Sequence, residues 1–273
     1  MSTLRDTQAV ARTGRRAGAV QSVRRVVDLL AALGDAPGPL SIRELSAAVG
    51  LPRPTVYRLM QTLTACGMAA PGEGGFVIGP RVLALAAGRL EQIELRGAGR
   101  PYLAALVAQT GETAHLAVLE QGQVVYIDKV EGPGPLRMAS AVGKIMPAHS
   151  TALGKAMLAA LPPDEAARIL RTTGLPRRTP ATITDPDRFA EELAAVRGRG
   201  FAIDNIENEE GIRCVGAAIR DHRGLLAGAV SLSGAASSIT LERARRELGP
   251  LVRQTALAIS RALGWPGAEE GST

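Results

Sequence analysis

The stretch Leu40–Gly67, LSIRELSAAVGLPRPTVYRLMQTLTACG, decides the fold of the first third of the chain. Ser41 and Glu44 form an S-x-x-E capping box, which predicts a helix starting at Ser41. Ile42, Leu45 and Val49 then share one face at spacings of three and four. Gly50 is the conformationally free residue that ends that helix. Pro52 and Pro54 suit the first turn of a second helix, where a missing N–H costs little. That helix has a stripe of Val56, Leu59, Met60 and Leu63 to bury, and Gly67 closes it. Arg53, Pro54, Thr55, Tyr57, Arg58, Gln61 and Thr62 are left on its outside and opening turn. Two short helices across a tight turn, the second one basic, make a helix-turn-helix, whose second helix suits the DNA major groove.

The flanking sequence completes a small domain. Val23, Val26, Val27, Leu30 and Leu33 repeat at helical spacing, which predicts a first helix over Ala19–Leu33 carrying Arg24 and Arg25. After Gly67, the runs Met68–Ala70 and Phe76–Ile78 flank a Gly-rich turn and read as a β-hairpin, the wing of a winged helix-turn-helix. The wing tip carries Glu73, so most base reading is expected from Arg53 to Arg58.

Charge separates the two parts of the chain. Residues 1–90 carry 11 Arg or Lys against 5 Asp or Glu, whereas residues 91–273 carry 21 of each. The whole net charge of +6 therefore lies in front, as polyanion contact at one end requires. At 273 residues and 46% apolar, the chain has length and core enough for two domains. It has no apolar run near the roughly 20 residues of a membrane span, and Arg5, Arg12, Arg15 and Arg16 precede no signal-peptide h-region. Cys66 and Cys214 stand far apart in apolar segments; a lone pair could be a disulfide, but they read rather as reduced core residues, which suits the cytoplasm.

Residues 1–18 read as a basic arm, and Pro80 to about Arg96 as a linker helix ending near Gly97 and Gly99, with Pro101–Thr110 helical again. The linker's apolar side suits either its own core or a second copy. Beyond it the pattern turns to strands. His115–Leu119 and Val124–Ile127 flank Gln121-Gly122 as a hairpin. Leu136–Ser140 is a candidate third strand, and Phe201–Ile203, Cys214–Ile219 and Leu225–Leu232 are three more. Helices are expected from Ala152, over Pro163–Arg171 and Pro186–Arg199, and from Leu241 to Leu263. Strands and helices mix without strict alternation, so this part is α+β around an antiparallel sheet.

Three stretches together resemble the IclR-type transcriptional regulators: Gln21–Leu63, PAHSTALGKAMLA at Pro147–Ala159, and GFAIDNIENEEGIRCVGAAIRDHRGLLAGAVSLSG at Gly200–Gly234. The resemblance implies a winged helix-turn-helix over 19–79, a linker helix over 80–97, a GAF-like effector-binding domain over 98–263 and a tail over 264–273. It also implies a homodimer, often a dimer of dimers, that binds double-stranded operator DNA under control of a small organic acid. DNA contacts are expected from Arg53, Pro54, Thr55, Tyr57, Arg58 and Gln61, with Ser41 and Arg24 as supports. Carried onto matching positions, the effector pocket comprises Ala152 and Leu153, then Asp204, Ile212 and Cys214, then Ser231 and Ser233, with Met138 nearby. The apolar Ala152-Leu153 pair, close to Met138 and Met146, favours an effector with an aromatic or aliphatic body.

Other readings of the same residues carry less. Ser150-Thr151 with Gly154-Lys155 fails the phosphate-loop pattern, because positions 149 and 156 are His and Ala; a helix start there still suits a carboxylate. Cys214, His149 and Asp204 could be drawn as a nucleophile constellation, but a cysteine within the apolar run Cys214–Ile219 is ordinarily a wall residue. His115, His149 and His222 show no metal-ligand spacing, and no cofactor is expected. An enzyme on the same fold and an architectural DNA-binding protein remain as alternatives.

Overall fold

A computed structural model describes residues 20–91, 94–134 and 140–267. The chain divides into two compact units, Met1–Arg89 and Leu90–Thr273.

In the first unit, α1 (Gln21–Asp35), α2 (Ile42–Val49) and α3 (Arg53–Ala65) precede the hairpin β1 (Ala69–Gly72) and β2 (Gly75–Ile78), and α4 (Pro80–Glu91) follows. The capping box forms as its residues require: the Glu44 N–H donates to Ser41 Oγ, and the Ser41 N–H donates to Glu44 Oε2 at 2.9 Å. Gly50 takes the left-handed conformation at φ 65° and turns the chain into α3. Leu29, Leu33, Leu45, Val56, Met60, Leu63 and Ala69 close a common core. The buried face of α1 is rotated from the expected one. Leu29 and Leu33 lie inside, while Val23 and Val27 are 60% and 57% exposed. Cys66 is exposed and not a core residue: it caps α3 where the chain leaves the helix, beyond the last buried turn. The hairpin is tied to the motif by paired hydrogen bonds between Leu40 and Phe76. A Cβ on Gly75 would lie 2.5 Å from the Leu40 backbone, so only glycine admits that approach.

The second unit begins with α5 (Glu94–Thr110). The expected break near Gly97 and Gly99 does not occur, since α5 runs through both and through Pro101. The reason lies in packing: a Cβ on Gly99 would lie 2.8 Å from the Leu116 side chain, so Gly99 serves close contact with the sheet and not helix termination. Strands β3 (Thr113–Glu120), β4 (Gln123–Val130), β5 (Ile145–Pro147), β6 (Ala202–Asn205), β7 (Ile212–Arg220) and β8 (Leu226–Ala235) form one six-stranded sheet in the order β5-β4-β3-β8-β7-β6. Every neighbouring pair is antiparallel. The β3–β4 turn has positive φ at both Gln121 and Gly122, the twist that a two-residue hairpin favours. The strand after β4 is Ile145–Pro147; of the candidate strand Leu136–Ser140, positions 136–139 lie outside the described residues.

Alternation along the strands divides the sheet into two faces. Leu116, Val215, Ile219, Val230 and Leu232 pack with Leu103 and Leu106 of α5 and with Val252, Ala256 and Ile259 of α10 (Gly249–Ala262). The latter continues from α9 (Leu241–Arg243) through a π-helical stretch, Ala244–Leu248, so the expected single closing helix is interrupted. The opposite face carries Ala117, Ala202 and Ala229 under α6 (Ala152–Ala160) and α8 (Pro186–Arg199), with α7 (Pro163–Thr173) beside α6. Gly216 lies on this face, in register with Ala202 and Ser231. A Cβ there would meet Ala152 C at 2.9 Å and Leu153 N at 3.1 Å, so glycine is what lets the first turn of α6 settle on the sheet.

Candidate functional site

Each of the two units carries one candidate site. In the first, Arg53, Pro54, Tyr57, Arg58 and Gln61 are exposed along α3 and Thr55 is half-buried, which is the outward face of the helix. Arginine can pair bidentately with guanine, and tyrosine and threonine hydroxyls reach phosphates. Arg24 is exposed on α1, apart from α3 in sequence and element. Ser41 is already engaged: its hydroxyl donates to Glu44 Oε2 at 2.7 Å, which leaves it an acceptor and no proton for a phosphate. The Ser41 hydrogen bonds also hold the Glu44 carboxyl below the ordinary range.

The second site is a pocket between the α6 face of the sheet and the first turn of α6. Its free space is about 480 Å³, counted out to solvent. Ala152, Leu153, Asp204, Ile212, Cys214, Ser231 and Ser233 all line it. Register explains why residues so far apart in sequence meet. Asp204 lies opposite Cys214, and Cys214 opposite Ser233, so the three side chains stand in one row across β6, β7 and β8. Ser231, two residues from Ser233, shares its face. Met138 lies outside the described residues. Tyr126, Ser140, Lys144, Thr151, Asn208 and Glu209 also line the pocket, and the sequence reading did not assign them there. For Tyr126 a signal existed, since alternation along the hairpin places it opposite Ala117 on the α6 face. The others belong to loops, or to a helix cap, where periodicity says nothing.

The chemistry of the pocket follows from burial. Asp204 is 2% exposed; its Oδ1 accepts the Glu207 N–H at 2.7 Å and the Asn208 N–H at 3.3 Å. Desolvation outweighs these bonds and the charge of Lys155 and pushes the carboxyl up to about 7. Burial, and then the Asp204 charge, raise the Cys214 thiol well above its ordinary range. Lys155, on the first turn of α6, is turned away from the pocket. It is fully buried, its Nζ 2.6 Å from Glu207 Oε1 and 3.3 Å from Glu192 Oε1. Thr151 caps α6 by accepting the Gly154 N–H. The N–H groups of Ala152 and Leu153, in the first turn, have no acceptor within the helix and lie at the pocket wall. The drawn constellation of Cys214, His149 and Asp204 is not assembled. His149 lies off the pocket and donates its Nε2–H to the Pro176 carbonyl at 2.9 Å, while burial keeps its imidazole below the ordinary range. Among the described residues no cluster of His, Cys, Asp or Glu could hold a metal ion, and no helix is long and apolar enough to cross a membrane.

Comparison with known proteins fits this architecture part by part. Residues 87–261 match the model for the bacterial transcriptional regulator IclR C-terminal domain, and residues 22–71 match the IclR helix-turn-helix domain. The chain belongs to the IclR family. It is a DNA-binding transcriptional regulator with a C-terminal effector-binding domain. The transcriptional repressor IclR of Escherichia coli is 33% identical over 256 residues, which are 92% of this chain and 93% of that one. The crystal structure of the Thermotoga maritima IclR superposes with a TM-score of 0.74 at 33% identity, covering 89% of this chain and 99% of that one. An IclR homologue from Microbacterium hydrocarbonoxydans, crystallised with 4-hydroxybenzoate, shares the fold at a TM-score of 0.76 and 23% identity, over 89% of this chain and 98% of that one.

Proposed function

We propose that this IclR-family regulator is a repressor whose α3 helices read a palindromic operator as a dimer, and that an organic acid, aromatic or short aliphatic, controls it from the pocket. One observation carries the reading: the matched register of Asp204, Cys214 and Ser233 with the first turn of α6 above them. The Ala152 and Leu153 N–H groups and the Lys144 ammonium suit a carboxylate, whereas Leu153, Ile212 and Met146 suit an apolar body. The E. coli relative is a repressor and the Microbacterium homologue was crystallised with a hydroxybenzoate, which supports repression and an acid ligand in turn. Exposed Val23 and Val27 on α1 and Leu83 and Leu85 on α4 offer apolar surface for a second copy. Pairing two such dimers agrees with the family pattern. On this reading the protein has no enzyme activity, since a buried thiol with a raised pKa is a poor nucleophile and the His149 imidazole is turned to the Pro176 carbonyl. The same reading places it in the cytoplasm, where a DNA-binding regulator meets its operator.

The test is a gel shift on the DNA just upstream of its own gene, across a salt series, with a thermal-shift screen of aromatic and short aliphatic acids. The expected result is salt-sensitive preference for that DNA over random duplex, weakened by an acid that raises the melting temperature. Absence of preference for any upstream region sinks the operator reading, and turnover lost in C214S would restore the enzyme.

A further inference from the structure

His115 lies on β3 and is 1% exposed. It is no wall of the pocket, yet each of its ring nitrogens meets a hydroxyl that is. Nε2 lies 2.7 Å from Ser140 Oγ, on the segment leading to β5, and Nδ1 lies 3.5 Å from Ser233 Oγ, on β8. Among the described residues, the charges acting on the ring are those of Lys129 and Glu131. Lys129 stands opposite it across the β3–β4 pair, with its ammonium on the Ser140 carbonyl and on Glu131. The Tyr126 ring is tilted against it at 5.0 Å. Burial first, then the charge of Lys129, lower the imidazole to about 3, so the ring is neutral at any pH at which the protein works.

A neutral imidazole has one N–H and one bare nitrogen, and a serine hydroxyl has one proton to give. With the proton on Nδ1, the ring donates to Ser233, whose own proton is free for a ligand, and Ser140 must give its proton to Nε2. With the proton on Nε2, the two serines exchange roles. Ser233 and Ser140 therefore cannot both donate into the pocket while both stay bonded to His115. The row continues beyond Ser233, because Cys214 stands opposite Ser233 and Asp204 opposite Cys214.

We propose that His115 is a positioning residue of the effector pocket, a neutral tautomeric relay that makes Ser140 and Ser233 present opposite hydrogen-bonding senses to one ligand. The ligand class this selects has an acceptor at one serine and a donor at the other, as a hydroxylated acid has; a ligand with acceptors alone at both places is disfavoured. The selectivity rests on the reading of the pocket as the effector site, while the relay itself does not.

The experiment is nitrogen NMR of the full chain labelled at histidine. There are only three histidines, so H115N assigns the relevant ring by the signals it removes. Should H115N not fold, variants of His149 and of exposed His222 assign the ring by elimination. Wild type is expected to show one protonated and one bare nitrogen at His115 from pH 5 to 8. S140A should move the proton to Nδ1, and S233A should move it to Nε2, because a buried N–H without an acceptor is the costlier loss. A His115 protonated on both nitrogens, or one tautomer unchanged across wild type, S140A and S233A, overturns the relay. No effector enters this readout, so its failure leaves the acid reading standing, and a failed acid screen leaves the relay standing.

Discussion

Replacing Asp204 by Asn should change how stability depends on pH, by an amount the site itself sets. Two tendencies oppose each other at this carboxyl. The Glu207 and Asn208 N–H groups and the Lys155 charge favour the anion, and burial at 2% exposure disfavours it. Burial wins because Lys155 is already bound to Glu207 at 2.6 Å, which spends most of its field. The folded-state pKa is thus about 7, against an ordinary 3.8. Between those values the folded protein keeps a proton that the unfolded chain has lost. With ν larger in the native state, stability falls as pH rises through this window and levels off above about 7. A shift of about three units at 1.36 kcal/mol each makes the loss about 4 kcal/mol. Asn keeps an Oδ1 for both N–H groups and does not titrate, so the stability of D204N relative to wild type should grow by about 4 kcal/mol from pH 4 to pH 8. The assay is urea unfolding followed by Trp265, the only tryptophan, which lies in the second unit and so reports on the right part of the chain. A D204N-minus-wild-type difference that stays constant within about 1 kcal/mol across that range would mean that Asp204 is ionised in the fold. Burial would then not govern this carboxyl.

Three further outcomes follow from the same geometry. S41A removes the side-chain arm of the capping box while leaving the backbone N–H of position 41 on Glu44, and should cost the first unit about 1 kcal/mol, seen as an earlier melting transition. R53A and R58A should each weaken operator binding; where the lost contact is to phosphate, the slope of log affinity against log salt falls by about 1, and a salt-series gel shift reads the difference. K155M leaves Glu207 buried without its cation and should cost about 3–5 kcal/mol, whereas K155M/E207Q should recover most of the loss in the same urea titration.

How far each feature could be read depended on whether it is local. The S-x-x-E box, Gly50 and the Pro52–Pro54 start act over a few residues, so helix bounds around the motif were legible before any fold was known. The same holds for α8, which begins at Pro186 behind its Asp185 cap and ends at Gly200 as expected. Gly99 was misread as punctuation because its role is a contact with Leu116, 17 positions on, which no local pattern carries. Val23 and Val27 were misread because periodicity fixes that a helix has an apolar stripe but not which edge of it the neighbouring helices cover. Cys66 was misread because an apolar neighbourhood in sequence says nothing of the side on which a helix cap leaves.

The pocket divides along the same line. The residues Ala152, Leu153, Asp204, Ile212, Cys214, Ser231 and Ser233 were named from their likeness to known regulators, and the tertiary structure brings them round one cavity. Sequence by itself determined the helix-turn-helix, the basic front half and the existence of an antiparallel sheet, because capping, charge and alternation are properties of neighbouring residues. Only the tertiary structure decided that Lys155 turns from the pocket to Glu207, that Gly216 makes room for α6, and that His115 bridges Ser140 and Ser233. Each of these depends on strand register and on how closely a helix approaches a sheet. Those are distances across the fold, fixed by packing among residues tens of positions apart.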